Sequence, residues 1–453
     1  MPASIVKLIT ARDMVLLKQL LRLAIPIFIG GAVQTGYHLI NTFWVGRLGA
    51  NALAVVSLCF PINLLLISLG SGISLAGSIL IAQHFGARNQ QQVNHVAAQT
   101  LTAVTVLSLL FSVCGYFAAP YILRVMGVDE SLLTDALVYM RISFASMFFL
   151  FLSSMYQAIL RGIGEAKAPL RIIMASVIVN SLLDPLLIFG WGPIPALGVK
   201  GAAYATGFTQ AITAYAGIRL LLSPRFGLQL TLADLQPDWP IITKLFRVGV
   251  PASIEQSMQA LYISIMTVLA AQFGTMALAA YGIVFRIITF TVMPAFSISM
   301  AASILAGQNI GAGDKKYAQH IALVTAVFSF CLMLMIGAFF FLSATLVIRF
   351  FVPVDARLIE YAALVLRIYS AIFALSGVQL AMAGVFRGAG DTFTTMLLTL
   401  VGTWAIQLPL AVVMSRYTSL GEMGLWWSSP VAAVLNTTIA IVYFKSGRWL
   451  RAR

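Results

Sequence analysis

The chain has 453 residues, of which 60% are hydrophobic and only 9% charged, with a mean hydropathy of +0.96. A soluble protein of this length would carry about 25% charged residues, so the composition excludes a water-soluble enzyme or scaffold and defines a polytopic helical membrane protein. The net charge of +14 does not point to nucleic acid, because the basic residues gather at the ends of apolar segments and form no basic-aromatic patch.

A helix crossing a bilayer needs about 20 mostly apolar residues. In chain order, such stretches are predicted at 20–44, 53–80, 96–121, 134–158, 170–190, 201–223, 245–270, 278–305, 319–346, 360–384, 393–414 and 425–445. The first, "LKQLLRLAIPIFIGGAVQ", runs into a full span without a small-residue cleavage site, so it reads as a membrane segment and not as a signal peptide. Cys59, Cys114 and Cys331 lie in apolar segments without pairing or metal spacing and read as small core residues.

The twelve segments repeat as six plus six. "SILIAQHFGARNQQQVNHVA" (78–97) aligns without gaps on "SILAGQNIGAGDKKYAQHIA" (303–322), an offset of 225. The same offset pairs Arg22 with Arg247, Pro26 with Pro251, Gln34 with Gln259, Tyr37 with Tyr262 and Gly49 with Gly274. Shifted by one, "RGIGE" (161–165) matches "RGAGD" (387–391), and Arg141 matches Arg367. Six spans return the chain to its starting side, so the halves have parallel topology, an arrangement found in transporters. The expected organisation is an N-terminal lobe (1–222), a linker (223–240) and a C-terminal lobe (241–453). With both termini in the cytoplasm, nineteen of the 28 Lys and Arg residues fall on that side and six outside, which satisfies the positive-inside rule.

Of the fourteen acids, only Asp184 and Glu255 lie deep within spans. An ionised carboxylate at a helix centre costs about 2.5–3.5 kcal/mol on insertion scales. Taking up a proton or binding a cation lowers that cost, and both link the residue to ion coupling. Asn180 precedes Asp184 by one helical turn on the same face. Pro185 has no N–H, so the carbonyl of Ser181 loses its usual helical donor. Segment 1 carries a polar stripe of Gln34, Tyr37, His38 and Asn41, and segment 7 echoes it with Glu255, Gln256, Gln259 and Tyr262. Such stripes either line a cavity or bond neighbouring helices. Arg286 has no basic repeat partner and is a candidate counter-charge to a carboxylate or an anion, whereas Arg141 and Arg367 read as structural. No Walker loop, HExxH, GxSxG or paired-carboxylate set occurs, so an enzyme is not expected and uphill transport would draw on an ion gradient.

"NSLLDPLLIFGWGPIPALGVKGAAYAT" (180–206), "LRGIGEAKAP" (160–169) and "INTFWVGRLGANALAVVSL" (40–58) resemble the multidrug and toxic compound extrusion (MATE) family. "AAYGIVFRIITFTVMPA" (279–295) is most similar to its bacterial DinF-like branch. The resemblance implies an all-α, V-shaped pair of pseudo-symmetric six-helix lobes in a bacterial inner membrane. It also implies export of organic, often cationic, compounds by alternating access in exchange for H⁺ or Na⁺, by a protein able to act as a monomer. Carried over residue by residue, it puts ion coupling on Asp184, Asn180 and Thr206, with Asp184 and Asn180 the ligands should the ion be Na⁺. Where the family reads Asp before "TFWV", this chain has Asn41, which can offer a neutral oxygen but cannot ionise. The polar residues of segments 1 and 7, with Arg286, then become candidates for the substrate cavity. A lipid-linked precursor flippase of the wider superfamily is the alternative, disfavoured by twelve spans and few buried cations.

Overall fold

A computed structural model describes residues 11–450 except Ile194, Leu232, Pro353 and Val354. Long helices dominate: α1 (Ala11–Gly46), α2 (Ala50–Gly86), α3 (Gln90–Val125), α4 (Glu130–Gly162), α5 (Lys167–Phe189), α6 (Val199–Leu221), α7 (Trp239–Ala271), α8 (Thr275–Gly311) and α9 (Lys315–Phe351). They are followed by α10 (Ala356–Ser370), α11 (Phe373–Gly388), α12 (Thr392–Leu400), α13 (Leu408–Arg416) and α14 (Glu422–Ser446). Among the described residues there is no β-strand.

Apart from the α5–α6 and α6–α7 segments, connections are short because the sequence supplies their chemistry. Asn89 and Asp314, one repeat apart, cap α3 and α9 by accepting a hydrogen bond from the backbone N–H three residues on. Asp355 and Asp391 do the same for α10 and α12. Before α2 and α8 the chain turns at Gly49 and Gly274, whose φ values of 108° and 105° are open to glycine and strained for other residues.

Among the described residues, nine helices are individually long and apolar enough to cross a bilayer, and the pair α10–α11, bent by 45°, makes a tenth span. Helices α6 and α7 fall short on hydropathy for a physical reason: they carry the polar positions Thr206, Thr209, Glu255, Gln256 and Gln259. With α12 and α13 joined by a continuous π-helical stretch (Val401–Gln407), the architecture is the twelve-span, six-plus-six arrangement read from the sequence. Two details were not legible there. Segment 10 is broken at Ala371 and Ile372, and segment 11 is π-helical at its centre, a feature that often marks functional positions. The cysteines also divide: Cys59 is buried in the core, while Cys114 and Cys331 are exposed and are not core residues.

The chain forms two compact units. One takes the residues through Ile25 together with Ile254 onward, and the other runs from Pro26 to Ser253. The boundaries therefore fall inside α1 and α7 and not at the expected linker of 223–240. The linker is held by the second unit: Gln90 Nε2 donates to the carbonyl of Gly227 (2.9 Å), and Thr102 Oγ1 to that of Leu235 (3.2 Å). That unit is built around Ile73, Ile79, Leu80, Met155, Tyr156 and Ile159, with a second cluster at Val55, Cys59, Met140 and Phe144. The other unit packs Tyr281 face to face with Trp426, whose Nε1 donates to Tyr361 Oη (2.9 Å).

The approach of α6 to α5 depends on a missing side chain. A Cβ at Gly201 would stand 2.3 Å from the carbonyl oxygen of Leu187. Gly201→Ala is therefore expected to force α6 away from α5 and destabilise the protein by about 1–3 kcal/mol. A thermal melt of the purified protein measures this, and an unchanged midpoint would show that the two helices part freely there.

Candidate functional site

Asn180 and Asp184 sit one turn apart on α5 and are 2% and 0% exposed. Asn180 Nδ2 donates to Thr209 Oγ1 on α6 at 3.2 Å, and Thr209 in turn accepts Thr213 Oγ1 at its carbonyl (2.7 Å). Both carboxylate oxygens of Asp184 and Oδ1 of Asn180 are shielded from solvent and have no hydrogen-bond partner among the described residues. Beside them, the Tyr37 hydroxyl of α1 bonds Thr206 Oγ1 of α6 at 2.8 Å, and Asn41 Nδ2 points at the same oxygen from 3.5 Å. Tyr37 and Tyr139 both lie within electrostatic reach of Asp184. The second unit thus brings Asp184, Asn180, Asn41, Tyr37 and Thr206 into one cluster, to which Thr209 and Tyr139 are additions. Thr209 could have been found from its place one turn after Thr206, whereas nothing in the sequence placed Tyr139 there.

Orphaned buried oxygens are expensive, at about 1–3 kcal/mol per unsatisfied group and more for a charged one. Three of them together suit a site that holds a proton on the carboxylate or a small monovalent cation among oxygen donors. No group of three or more His, Cys, Asp or Glu side chains able to hold a metal occurs among the described residues, so the donor set is one carboxylate with neutral amide and hydroxyl oxygens.

The remaining polar residues of segment 1 are placed differently. Gln34 and His38 are exposed, with the His38 ring 5.1 Å from that of Tyr37. In the other unit Glu255 is buried, and its Oε1 accepts Arg387 Nη2 at 2.8 Å and Thr399 Oγ1 at 3.1 Å. Glu255 is thus met by a cation, unlike Asp184. Arg387, in the "RGAGD" motif, was not singled out by the sequence, although its repeat mate Arg161 likewise stands in the last turn of its helix. Gln256 and Gln259 are exposed, and Arg286 is exposed and makes no ion pair among the described residues. Arg367 donates to the carbonyl of Phe341 and to Thr345, and Arg141 lies 5.0 Å over the Tyr116 ring, as structural arginines do.

Tyr262, the repeat mate of Tyr37, is within hydrogen-bond reach of Ser429, which is also bonded by Gln407 Nε2 (2.8 Å) and donates to Tyr369 Oη (3.2 Å). Leu197, Gly198 and Gly201 recur 223 residues on as Leu420, Gly421 and Gly424, and that shift carries Thr206 to Ser429. A tyrosine–hydroxyl pair thus recurs in both units, beside Asp184 in one and beside the neutral Gln407 in the other.

Twelve spans in two repeats, with one unpaired intramembrane carboxylate among the described residues, define a membrane transporter of six-plus-six design. The chain belongs to the MatE family, whose model matches residues 26–186 and again 251–413, once in each half. It is 31% identical over 427 residues to a probable multidrug resistance protein, YoeA, of Bacillus subtilis, covering 93% of this chain and 92% of that one. It is 25% identical to the probable multidrug resistance protein NorM of Thermotoga maritima over 95% and 93% of the two chains. A crystal structure of MATE in the bent conformation superposes with a TM-score of 0.89 at 26% identity, over 98% of each chain. A MOP superfamily transporter from Pyrococcus furiosus does so at 0.88 and 26%, over 96% of each.

Proposed function

We propose that the protein is a secondary active efflux transporter that exports organic compounds, cationic ones above all, by antiport with H⁺ or Na⁺. It would act through alternating access of two lobes in a bacterial inner membrane, with both termini cytoplasmic and a single chain sufficient for the cycle. The names of its relatives support multidrug export, and no nucleotide-binding loop is present in the sequence to drive it. The observation that carries ion coupling is the trio of buried, unpartnered oxygens on Asn180 and Asp184.

The arrangement suits the ion-loaded form. With a proton or Na⁺ on Asp184, its negative charge is offset and the Tyr37 and Thr206 hydroxyls are left to bond one another. Once the ion leaves, the bare carboxylate is unpaired in a low-dielectric setting, and those hydroxyls are its nearest means of compensation. Their reorientation would change how α1 packs on α5 and α6, so that ion occupancy biases the balance between two states.

Dye efflux from proteoliposomes, with a proton gradient and a sodium gradient imposed separately, tests the reading. Efflux driven by one gradient identifies the ion. Failure of both gradients to drive any cationic dye would overturn antiport.

A further inference from the structure

Two histidine–aspartate contacts, 225 residues apart, connect the two sequence repeats crosswise. His95 and His320 occupy the same position, 225 residues apart, near the starts of α3 and α9, and Asp13 and Asp238 are related by the same offset at the starts of α1 and α7. Each histidine meets the aspartate of the other repeat. His95 Nε2 lies 2.8 Å from Asp238 Oδ2, with Nδ1 3.6 Å from Asp234, and His320 Nε2 lies 2.6 Å from Asp13 Oδ1.

These pairs do not stand alone. In the Pro26–Ser253 unit the fully buried Gln99 side chain donates to the carbonyls of Asp234 (2.7 Å) and Gln236 (2.6 Å) and accepts the Asp238 N–H (2.9 Å). Ser253 Oγ of α7 donates to the Leu69 carbonyl of α2 at 2.6 Å, and a Cβ at Gly72 would lie 2.4 Å from the Gly249 carbonyl oxygen, so the start of α7 is packed closely on α2. Thr231 bonds the Asp234 carboxyl through its N–H and its hydroxyl and holds it below the usual carboxylate range. In the other unit the Arg12 guanidinium lies 4.5 Å over the ring of Tyr317, which stacks on His320. The two helix starts bury equivalent faces: Leu20 and its mate Leu245 are both 0% exposed. Beyond Ile25 and Ser253, α1 and α7 continue into the opposite unit.

We propose that His95–Asp238 and His320–Asp13 are a repeat-related pair of clasps that fasten the start of each half's first helix to the unit built from the other half, so that the transport movement is transmitted through α1 and α7. The four residues are positioning residues: they touch neither ion nor substrate, and they act through helices that carry Tyr37 in one case and Tyr262 in the other. The inference rests on the alternating-access reading above, since only a cycle of unit movements gives the clasps something to transmit.

The test uses full-length protein in lipid and two readouts, hydrogen exchange and gradient-driven dye efflux. His320→Asp and Asp13→His singly place like-charged groups or two imidazoles together. Each is expected to speed amide exchange over 12–25 about tenfold and to lower efflux by about the same factor, with dye binding kept. The double exchange of the two side chains is expected to restore both. Asp238→Asn is expected to open 239–253 and leave 12–25 protected. Unchanged exchange in the single variants, or no recovery in the double, overturns the clasp. Faster exchange with undiminished efflux overturns its part in transport. If the native protein shows no driven efflux, the antiport reading fails by itself, and the exchange measurement still decides whether the clasps exist.

Discussion

Asp184→Asn is expected to reduce gradient-driven efflux to background, a loss of about 100-fold, the upper range of a coupling free energy between two sites. The same change is expected to raise the melting midpoint. Asparagine is nearly isosteric and cannot ionise, and the native carboxylate has both oxygens buried without a partner. The amide keeps an unpartnered oxygen and lifts only the cost of the ionised form, so the gain is at the lower end, about 1 kcal/mol, and the variant should be the better-folded and the less active protein. Dye should still bind, because nothing removed touches the exposed polar positions Gln34 and His38. Melting and efflux measured on one preparation separate the outcomes. A variant with native efflux would remove Asp184 from the coupling mechanism, and a fall in both quantities would make its role structural.

Glu255→Gln is expected to behave in the opposite way. The Glu255–Arg387 pair is largely buried, with the two side chains 8% and 13% exposed, and Thr399 completes it. Removing one partner of a buried pair leaves an uncompensated charge, at a cost of about 3 kcal/mol. The midpoint should fall, while efflux per folded molecule changes little. Adding Arg387→Met should recover most of the loss, because replacing both charges by apolar or neutral groups is often close to neutral. Fluorescence-monitored melting of the native protein, the single variant and the double variant measures the pair. A stable single variant that has lost driven efflux would instead assign Glu255 to ion coupling. The contrast between the two acids is a contrast of surroundings: both are intramembrane carboxylates, and only one has a cation beside it.

Both residues were visible in the sequence for the same reason, that a charge inside an apolar run is costly and needs compensation. The sequence by itself also determined the number of spans and the twofold repeat. Apolar length and recurring Gly, Pro and polar positions are local properties, set by what a bilayer demands of any helix crossing it. Asn180 beside Asp184 was likewise legible, because i, i+4 spacing fixes a shared face before any tertiary contact forms.

What only the tertiary structure decided is partnership. Tyr37 meets Thr206 from 169 residues away, Arg387 reaches Glu255 across 132, and His320 finds Asp13 across still more of the chain. No periodicity encodes such pairings. Gln34 and Tyr37 belong to one stripe by spacing, yet the packing of α1 exposes the first and turns the second onto α6. The unit boundaries inside α1 and α7 were hidden for the same reason: a helix continuous in its hydrogen bonding gives no local sign that its two ends pack on different neighbours. Span and repeat follow from the solvent around each segment, whereas site and clasp follow from which segments lie side by side, and that is settled only when the whole chain is packed.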